Sequence, residues 1–211
     1  MNAKRLLKQL HTRYENSEND YILQLMLSRA VKSKRTITQH MEQTVENALV
    51  SHDLRLSEEE LTNAILYASR TEPFTEEEIL SLHTAVCLSL LKLLTQDEDL
   101  SADTIVTRGD NAAYTLRSLE AADWEERYQT LSELEKTLAS EDPLYRFCDS
   151  KTQNDVKGEI LKLAKKHNLP ERDAARLFAK KASAVKSHAK GGRSFFLSLY
   201  VVSFLITASL F

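Results

Sequence analysis

Apolar residues recur at helical spacing along most of this chain. The clearest run starts at residue 79 and returns at steps of three and four until about residue 95. Such spacing places the run on one face of a helix. Its members are Ile79, Leu82, Val86, Leu90 and Leu93. Further apolar residues widen the face, namely Leu80, Cys87, Leu91 and Leu94. A stripe of this width is typical of a central helix in a bundle.

Weaker versions of the pattern predict helices before and after this one. Two helix starts carry a capping box, a hydroxyl residue followed three positions later by Glu, at Ser57 with Glu60 and at Thr75 with Glu78. The connections are short and polar, as in helix bundles. The predicted segments are 3–15, 20–31, 36–51, 57–71, 110–120, 123–140, 153–167 and 170–188.

The composition supports a fold made of helices. Among 211 residues there are only 4 Gly and 3 Pro, too few for the turns of a β-sandwich or barrel. We therefore expect an all-α protein, with antiparallel helical bundles followed by a C-terminal hydrophobic helix. An acidic stretch at 96–103 separates a predicted N-terminal helical group, residues 1–100, from a second group at 104–190.

The last residues, 194–211, form an apolar segment without a charge. A helix of that length measures about 27 Å, close to the hydrocarbon thickness of a bilayer, about 30 Å. The segment is therefore predicted to be a transmembrane helix, with a buried core helix as the alternative. Basic residues precede it, which by the positive-inside tendency places residues 1–193 in the cytoplasm.

The net charge of −3 combines two unlike parts, because residues 1–173 carry −9 and residues 174–211 carry +6. We interpret the positive part as a collar that contacts the anionic headgroups of a lipid bilayer. Nucleic acid is not expected as a partner, since few aromatic residues lie among the basic ones. The collar consists of Arg176, Lys180, Lys181, Lys186, Lys190 and Arg193.

Residues with catalytic or metal-binding potential are sparse. The six His are scattered singly, and the two Cys lack the C-x-x-C spacing of metal and redox sites. Asp97-Glu98-Asp99 has the D-x-D form with which many glycosyltransferases hold a divalent metal, but it lies in the acidic linker and is interpreted as a solvated loop. The sequence therefore predicts no catalytic residue, no cofactor and no metal.

A series of residues in the second half of the chain resembles a known family. Leu116-Arg117-Ser118-Leu119 is followed by Asp123-Trp124 and by a helix that starts at Ser132. In order and spacing, about residues 70–188 resemble the region before the first membrane helices of cyclic β-1,2-glucan synthases. The family-like positions are Asp123, Trp124, Glu135, Asp142, Pro143, Tyr145, Asp149 and Thr152.

This resemblance implies a role in carbohydrate biosynthesis at the bacterial inner membrane. Proteins of that family polymerise glucose from UDP-glucose, and their catalytic domains lie beyond the region that this chain resembles. The chain is then expected to be a non-catalytic, membrane-tethered scaffold, a fragment or truncated copy that docks onto a glycosyltransferase unit or another protein. The alternative is a tail-anchored helical adaptor that binds a protein partner and has no carbohydrate role.

Overall fold

The computed structural model describes residues 3–15, 19–33, 35–96, 100–142 and 145–188. Every regular element in these ranges is helical, which confirms the all-α prediction. The elements are α1 (Ala3–Tyr14), α2 (Asp20–Lys32), α3 (Gln39–Ser51), α4 (Glu58–Ala68), α5 (Glu76–Gln96), α6 (Ala102–Ala121), α7 (Trp124–Leu131), α8 (Glu133–Glu141), a 3-10 turn (Tyr145–Phe147), α9 (Ser150–His167) and α10 (Glu171–His188). The predicted membrane helix at 194–211 and the D-x-D at 97–99 lie outside the described residues.

The chain divides into two compact units, residues 1–131 and residues 132–211. The acidic linker near residue 100, where the sequence favours a boundary, lies within the first unit. The reason is that α6, beyond the linker, buries Ala112, Ala113 and Leu116 in the same core as the N-terminal helices. The last residue of α7, Leu131, belongs to that core as well.

Helix α5 is the central element of the first unit, in contact with α1, α2, α3, α6 and α7. Its inner face includes Leu82, Val86 and Leu90, each at most 1% exposed. Among the described residues it is the one helix long and apolar enough to cross a membrane, and 72% of its most apolar window is buried inside the structure. The core helix of a soluble protein has the same length and composition, and the burial of α5 matches that role.

Both predicted capping boxes are present. The Ser57 hydroxyl accepts a hydrogen bond from the Glu60 N–H at 3.2 Å, and the Glu60 carboxylate accepts one from the Ser57 N–H at 2.7 Å. Thr75 and Glu78 make the same exchange at 3.3 and 2.8 Å. These bonds satisfy N–H groups that have no partner within the first turn of a helix. They therefore set where α4 and α5 begin.

Two predicted segments differ in extent from the observed helices. Helix α6 begins at Ala102 rather than near residue 110, because the Ser101 hydroxyl caps it by accepting a hydrogen bond from the Thr104 N–H at 3.2 Å. The segment predicted at 123–140 is divided into α7 and α8 at Ser132, whose hydroxyl accepts from the Glu135 N–H at 3.0 Å. Serine is a favoured N-cap because its hydroxyl oxygen accepts a hydrogen bond from a backbone N–H that has no partner in the first turn of the helix.

The second unit has a small core formed by α8, α9 and α10. An ion pair lies in it, with Lys157 Nζ 2.6 Å from Glu135 Oε1, and the Tyr145 hydroxyl donates to the same oxygen at 3.1 Å. The side chains of Glu135 and Lys157 are only 11% and 15% exposed. Because water is largely excluded, this charge-assisted contact is stronger than a surface pair. The apolar core residues are Leu134, Leu138, Tyr145, Val156, Ile160, Ala164, Ala174, Ala175, Phe178 and Ala182.

Candidate functional site

A groove lies on the first unit where α5, α6 and α7 meet. Its volume is about 480 Å³, within the range of about 300–1,000 Å³ that is common for binding pockets. The polar members of its lining are few, and most of its surface is apolar. The lining residues are Ile79, Leu80, His83, Leu119, Glu120, Trp124, Tyr128 and Leu131.

Trp124, the first residue of α7, forms one wall of the groove. Its indole Nε1–H donates to the Leu119 carbonyl oxygen at 2.8 Å, which fixes the ring against the end of α6. The imidazole of His83 meets the indole edge-on, with ring centroids 6.1 Å apart. Because the indole N–H already has an acceptor, the ring offers apolar surface to an occupant.

The floor and the rim of the groove differ in exposure. Ile79 and Leu131 are buried at 6% and 3% exposed, whereas Leu80 is 50% exposed. At the rim, the Glu120 side chain is 52% exposed and its carboxylate lies 4.0 Å from the guanidinium of Arg29, which is 65% exposed. An ion pair so exposed contributes little to stability, so Glu120 can exchange Arg29 for another cation.

His83 is neutral at pH 7. Burial lowers the pKa of His83 below its ordinary value of 6.5, and the carboxylate of Glu120 opposes this shift only in part. A neutral ring can lie against apolar side chains, and it adds no positive charge to the groove. The carboxylate of Glu120 therefore determines the charge of the groove lining.

Cys87 lies one turn after His83, with its Sγ 3.8 Å from the His83 Nδ1. A Cys next to a His can be a nucleophile when the thiol is ionised and exposed. Cys87 has 0% exposure, and burial raises the pKa of its thiol to about 12. We therefore assign Cys87 to the core. In the ranges that the structure describes, no group of three or more His, Cys, Asp or Glu is placed to hold a metal ion.

A second cleft of about 490 Å³ lies between α1, the end of α5 and the start of α6. Arg13, which lines it, donates to the Leu94 carbonyl oxygen at 2.7 Å, and Arg108 donates to the Leu93 carbonyl oxygen at 2.7 Å. Basic side chains in this position satisfy the last carbonyls of α5 and offset the negative end of its dipole. These arginines thus terminate α5.

Two of the family-like positions lie at the start of α7 in the first unit. Asp123 caps this helix by accepting a hydrogen bond from the Glu126 N–H at 3.1 Å. Trp124 follows it and lines the groove. The cap thus fixes the point at which the groove wall begins.

The other family-like positions lie in the second unit or outside the described residues. Glu135 and Tyr145 meet in the ion-pair network. Asp149 caps α9 by accepting from the Thr152 N–H at 3.0 Å. Asp142 ends α8, and Pro143 lies outside the described residues. In the second unit these residues therefore have structural roles.

The described part of the predicted collar lies on α10. Arg176 and Lys180 are exposed and lie one turn apart on the same face, whereas Lys181 is half-buried. Lys186 falls within the range of α10, and Lys190 and Arg193 lie outside the described residues. The structure thus places two collar residues side by side on the surface.

Sequence reasoning missed the groove, although two signals for it were present. Leu80 lies at the edge of the widened apolar stripe of α5, just after the acidic first turn, where a large aliphatic residue borders polar positions. The chain also has a single Trp, directly after a capping Asp. The pattern gave no means of bringing Leu80 and Trp124 together, because they are far apart in the sequence.

Comparisons with protein-family models, with curated proteins and with solved structures found no match to this chain. The resemblance to cyclic β-1,2-glucan synthases stays a prediction. The fold and the groove define an all-α protein with a largely apolar groove on its first unit.

Proposed function

We propose that the first unit is a docking module that binds a basic amphipathic helix of a protein partner. The observation that carries this proposal is the groove, which combines the exposed Leu80 and the half-buried rings of Trp124 and Tyr128 with a carboxylate at its rim. A partner helix would place apolar residues, spaced three and four apart, against Leu80 and Trp124. A Lys or Arg at the edge of its apolar face would pair with Glu120.

The charge of the first unit favours the same kind of partner. Residues 1–131 carry 22 Asp and Glu against 14 Lys and Arg. Glu77 is exposed and lies one turn before Leu80 on α5, so a second carboxylate adds to the negative charge on that side of the helix. A cationic helix is attracted to this surface, and an acidic helix with the same apolar face is repelled.

We further propose that the module is held at a membrane by the apolar segment 194–211, with the helical units in the cytoplasm. The support is the length of this segment, its lack of charge and the basic residues before it. Together with the groove, this describes a membrane-anchored adaptor. A scaffold role beside a glucan synthase is one form of the same proposal, in which the partner is the glycosyltransferase unit.

The single tryptophan makes the groove proposal directly testable. The full chain in neutral phosphatidylcholine nanodiscs is titrated with a Leu/Lys amphipathic helix of about 18 residues that contains no aromatic residue. Because Trp124 lines the groove, binding there is expected to shift its fluorescence to shorter wavelength with a saturable dependence on peptide. A Leu/Glu peptide with the same apolar face is expected to give no shift.

Two matched variants separate the groove from the rest of the surface. Leu80→Glu adds a charge at the groove, and Val106→Glu adds the same charge at an equally exposed site on α6, since these side chains are 50% and 53% exposed. We expect Leu80→Glu to abolish the shift and Val106→Glu to retain it. An equal response of both variants, or an equal response to the two peptides, would contradict the proposal.

A further inference from the structure

A basic stripe runs along the solvent side of α10 in the second unit. Arg172, Arg176 and Lys180 are all exposed, and they follow one another at steps of four residues. That step aligns side chains along one face of a helix. Leu177 lies beside this stripe and is 51% exposed.

The orientation of the stripe is fixed by the opposite face of α10. Ala174, Ala175 and Phe178 are at most 4% exposed and belong to the core of the second unit. α10 therefore cannot turn the stripe inward without exposing these residues to water. The basic residues and Leu177 face outward in the folded unit.

The acidic residues near the stripe neutralise it only weakly. Arg176 lies 3.9 Å from the carboxylates of both Asp173 and Glu141, and Arg172 lies 3.7 Å from Asp173. All of these side chains are between 39% and 49% exposed, so the pairs compete with water and salt. The net charge of the second unit is also positive, because residues 132–211 carry 14 Lys and Arg against 9 Asp and Glu.

The sequence after α10 continues the same character. Further basic residues, Lys190 and Arg193, flank Gly191-Gly192, and the charge-free segment 194–211 follows. Glycines allow the chain direction to change at little steric cost. A helix that lies on a bilayer surface and leads into an apolar segment has this order of residues.

We propose that the exposed face of α10 binds an anionic phospholipid surface, with Arg172, Arg176 and Lys180 at the phosphate groups and Leu177 inserted between the headgroups. The helix then lies parallel to the membrane. This proposal is independent of the groove, which belongs to the other unit. It also differs from the proposed membrane attachment by the apolar segment 194–211, because that attachment requires no anionic lipid.

The test measures the environment of residue 177 in the full chain. A nitroxide label is attached to Leu177→Cys in a Cys148→Ser background, and the buried Cys87 is kept. The chain is reconstituted into phosphatidylcholine vesicles with and without phosphatidylglycerol. On the anionic vesicles we expect the label to become protected from a water-soluble nickel chelate and accessible to oxygen. On neutral vesicles, or at high salt, it should stay accessible to the chelate.

Two controls make the result specific. A label at Val106→Cys, a site of similar exposure in the first unit, is expected to stay accessible to the chelate on both kinds of vesicle. Substituting the stripe (Arg172→Gln, Arg176→Gln and Lys180→Gln) should remove the protection of residue 177. The same charge loss on α9 (Lys151→Gln, Lys162→Gln and Lys165→Gln) should leave the protection of residue 177 unchanged.

Three results would overturn the proposal. They are equal accessibility of residue 177 on neutral and anionic vesicles, equal protection of residues 106 and 177, and equal effects of the two charge variants on the protection of residue 177.

Discussion

The hydroxyl of Thr38 donates a hydrogen bond to the carboxylate of Glu78. Thr38 is the N-cap of α3, where its hydroxyl oxygen accepts from the Met41 N–H at 3.2 Å. Glu78 is at the same time the acidic member of the capping box of α5. One carboxylate thus joins the starts of two helices that pack against each other in the first unit.

This shared cap predicts an acid-dependent part of the stability. Burial alone would raise the pKa of Glu78, but the hydrogen bonds from Thr38 and Thr75 outweigh it and hold the pKa below 4.5, the ordinary value. The stabilisation is therefore complete above about pH 4.5 and is lost as the pH falls through the lower pKa of the folded state. We expect Glu78→Gln to lower the free energy of unfolding by about 1 kcal/mol at pH 7.

The control for this prediction is Glu77→Gln, which removes a neighbouring charge from the same first turn. Urea unfolding of both variants between pH 7 and pH 3 measures the effect. As the pH falls, the free energy of unfolding should decrease less in Glu78→Gln than in the wild type, and in Glu77→Gln it should decrease as in the wild type. If the free energy of unfolding depended on pH equally in the wild type and Glu78→Gln, the shared cap would not contribute to the acid dependence.

Two helical glycines should respond in opposite directions to alanine. A Cβ at Gly109 in α6 would lie 2.7 Å from Tyr14 Cε1, and Tyr14 is only 2% exposed, so its ring cannot move aside. We expect Gly109→Ala to destabilise the chain by about 1–3 kcal/mol through overpacking. A Cβ at Gly158 in α9 meets no atom within 4 Å, and Gly158→Ala should stabilise by about 0.5–1 kcal/mol. Chemical denaturation of the two variants checks this, and a change of the same sign in both would refute the packing of Tyr14 on α6.

The two ion pairs of α9 are predicted to differ in their effect on stability. Lys157→Met leaves the carboxylate of Glu135 buried without its cation, and we expect a loss of about 2–3 kcal/mol. Lys162→Met breaks the exposed contact with Glu159, at 2.7 Å, and no measurable change is expected. Thermal unfolding of both variants distinguishes the cases. If Lys157→Met were as stable as Lys162→Met, the Glu135 network would not support the second unit.

Peptide binding in the groove should weaken in mild acid. The pKa of His83 is lowered by burial, so the ring becomes charged only below pH 6.5, its ordinary pKa. A charged ring repels a basic helix by about 1 kcal/mol, or about fivefold in affinity. Trp124 fluorescence titrations in steps from pH 7.5 down to pH 5 measure this change. His83→Gln, which stays neutral, should keep one affinity across the series, and the same pH dependence in the wild type and His83→Gln would contradict the prediction.

The tether can be tested by placing charges at two depths of the apolar segment. Val202→Arg puts a cation near its centre, where insertion costs about 2.5–3.5 kcal/mol. Ser194→Arg puts the same side chain at the edge beside the basic collar, where little cost is expected. Carbonate extraction of cell membranes should release Val202→Arg and retain Ser194→Arg. Retention of both variants, or release of the wild type, would contradict a membrane-spanning segment.

The helices could be predicted from the sequence because their signals are local. The stripe of α5 and the boxes at Ser57 and Thr75 are each contained in one helix and its first turn. The start of α6 and the break at Ser132 also depend on a single capping serine, which periodicity alone does not detect. The groove depends on a different kind of information, the packing of α7 beside α5. The presence of Leu80 and Trp124 in one groove is set by tertiary contacts, and no spacing along the chain encodes it directly.

The rate at which the thiol of Cys87 is modified can measure local opening of the first unit. A thiol that is fully covered and protonated reacts with a soluble disulfide reagent only when the surrounding helices separate, so its modification rate counts these openings. A peptide that binds only the closed groove should slow this rate in proportion to the occupancy of the groove. The burial that keeps the Cys87 thiol protonated and unreactive thus makes this residue a reporter of how often the core of the first unit opens.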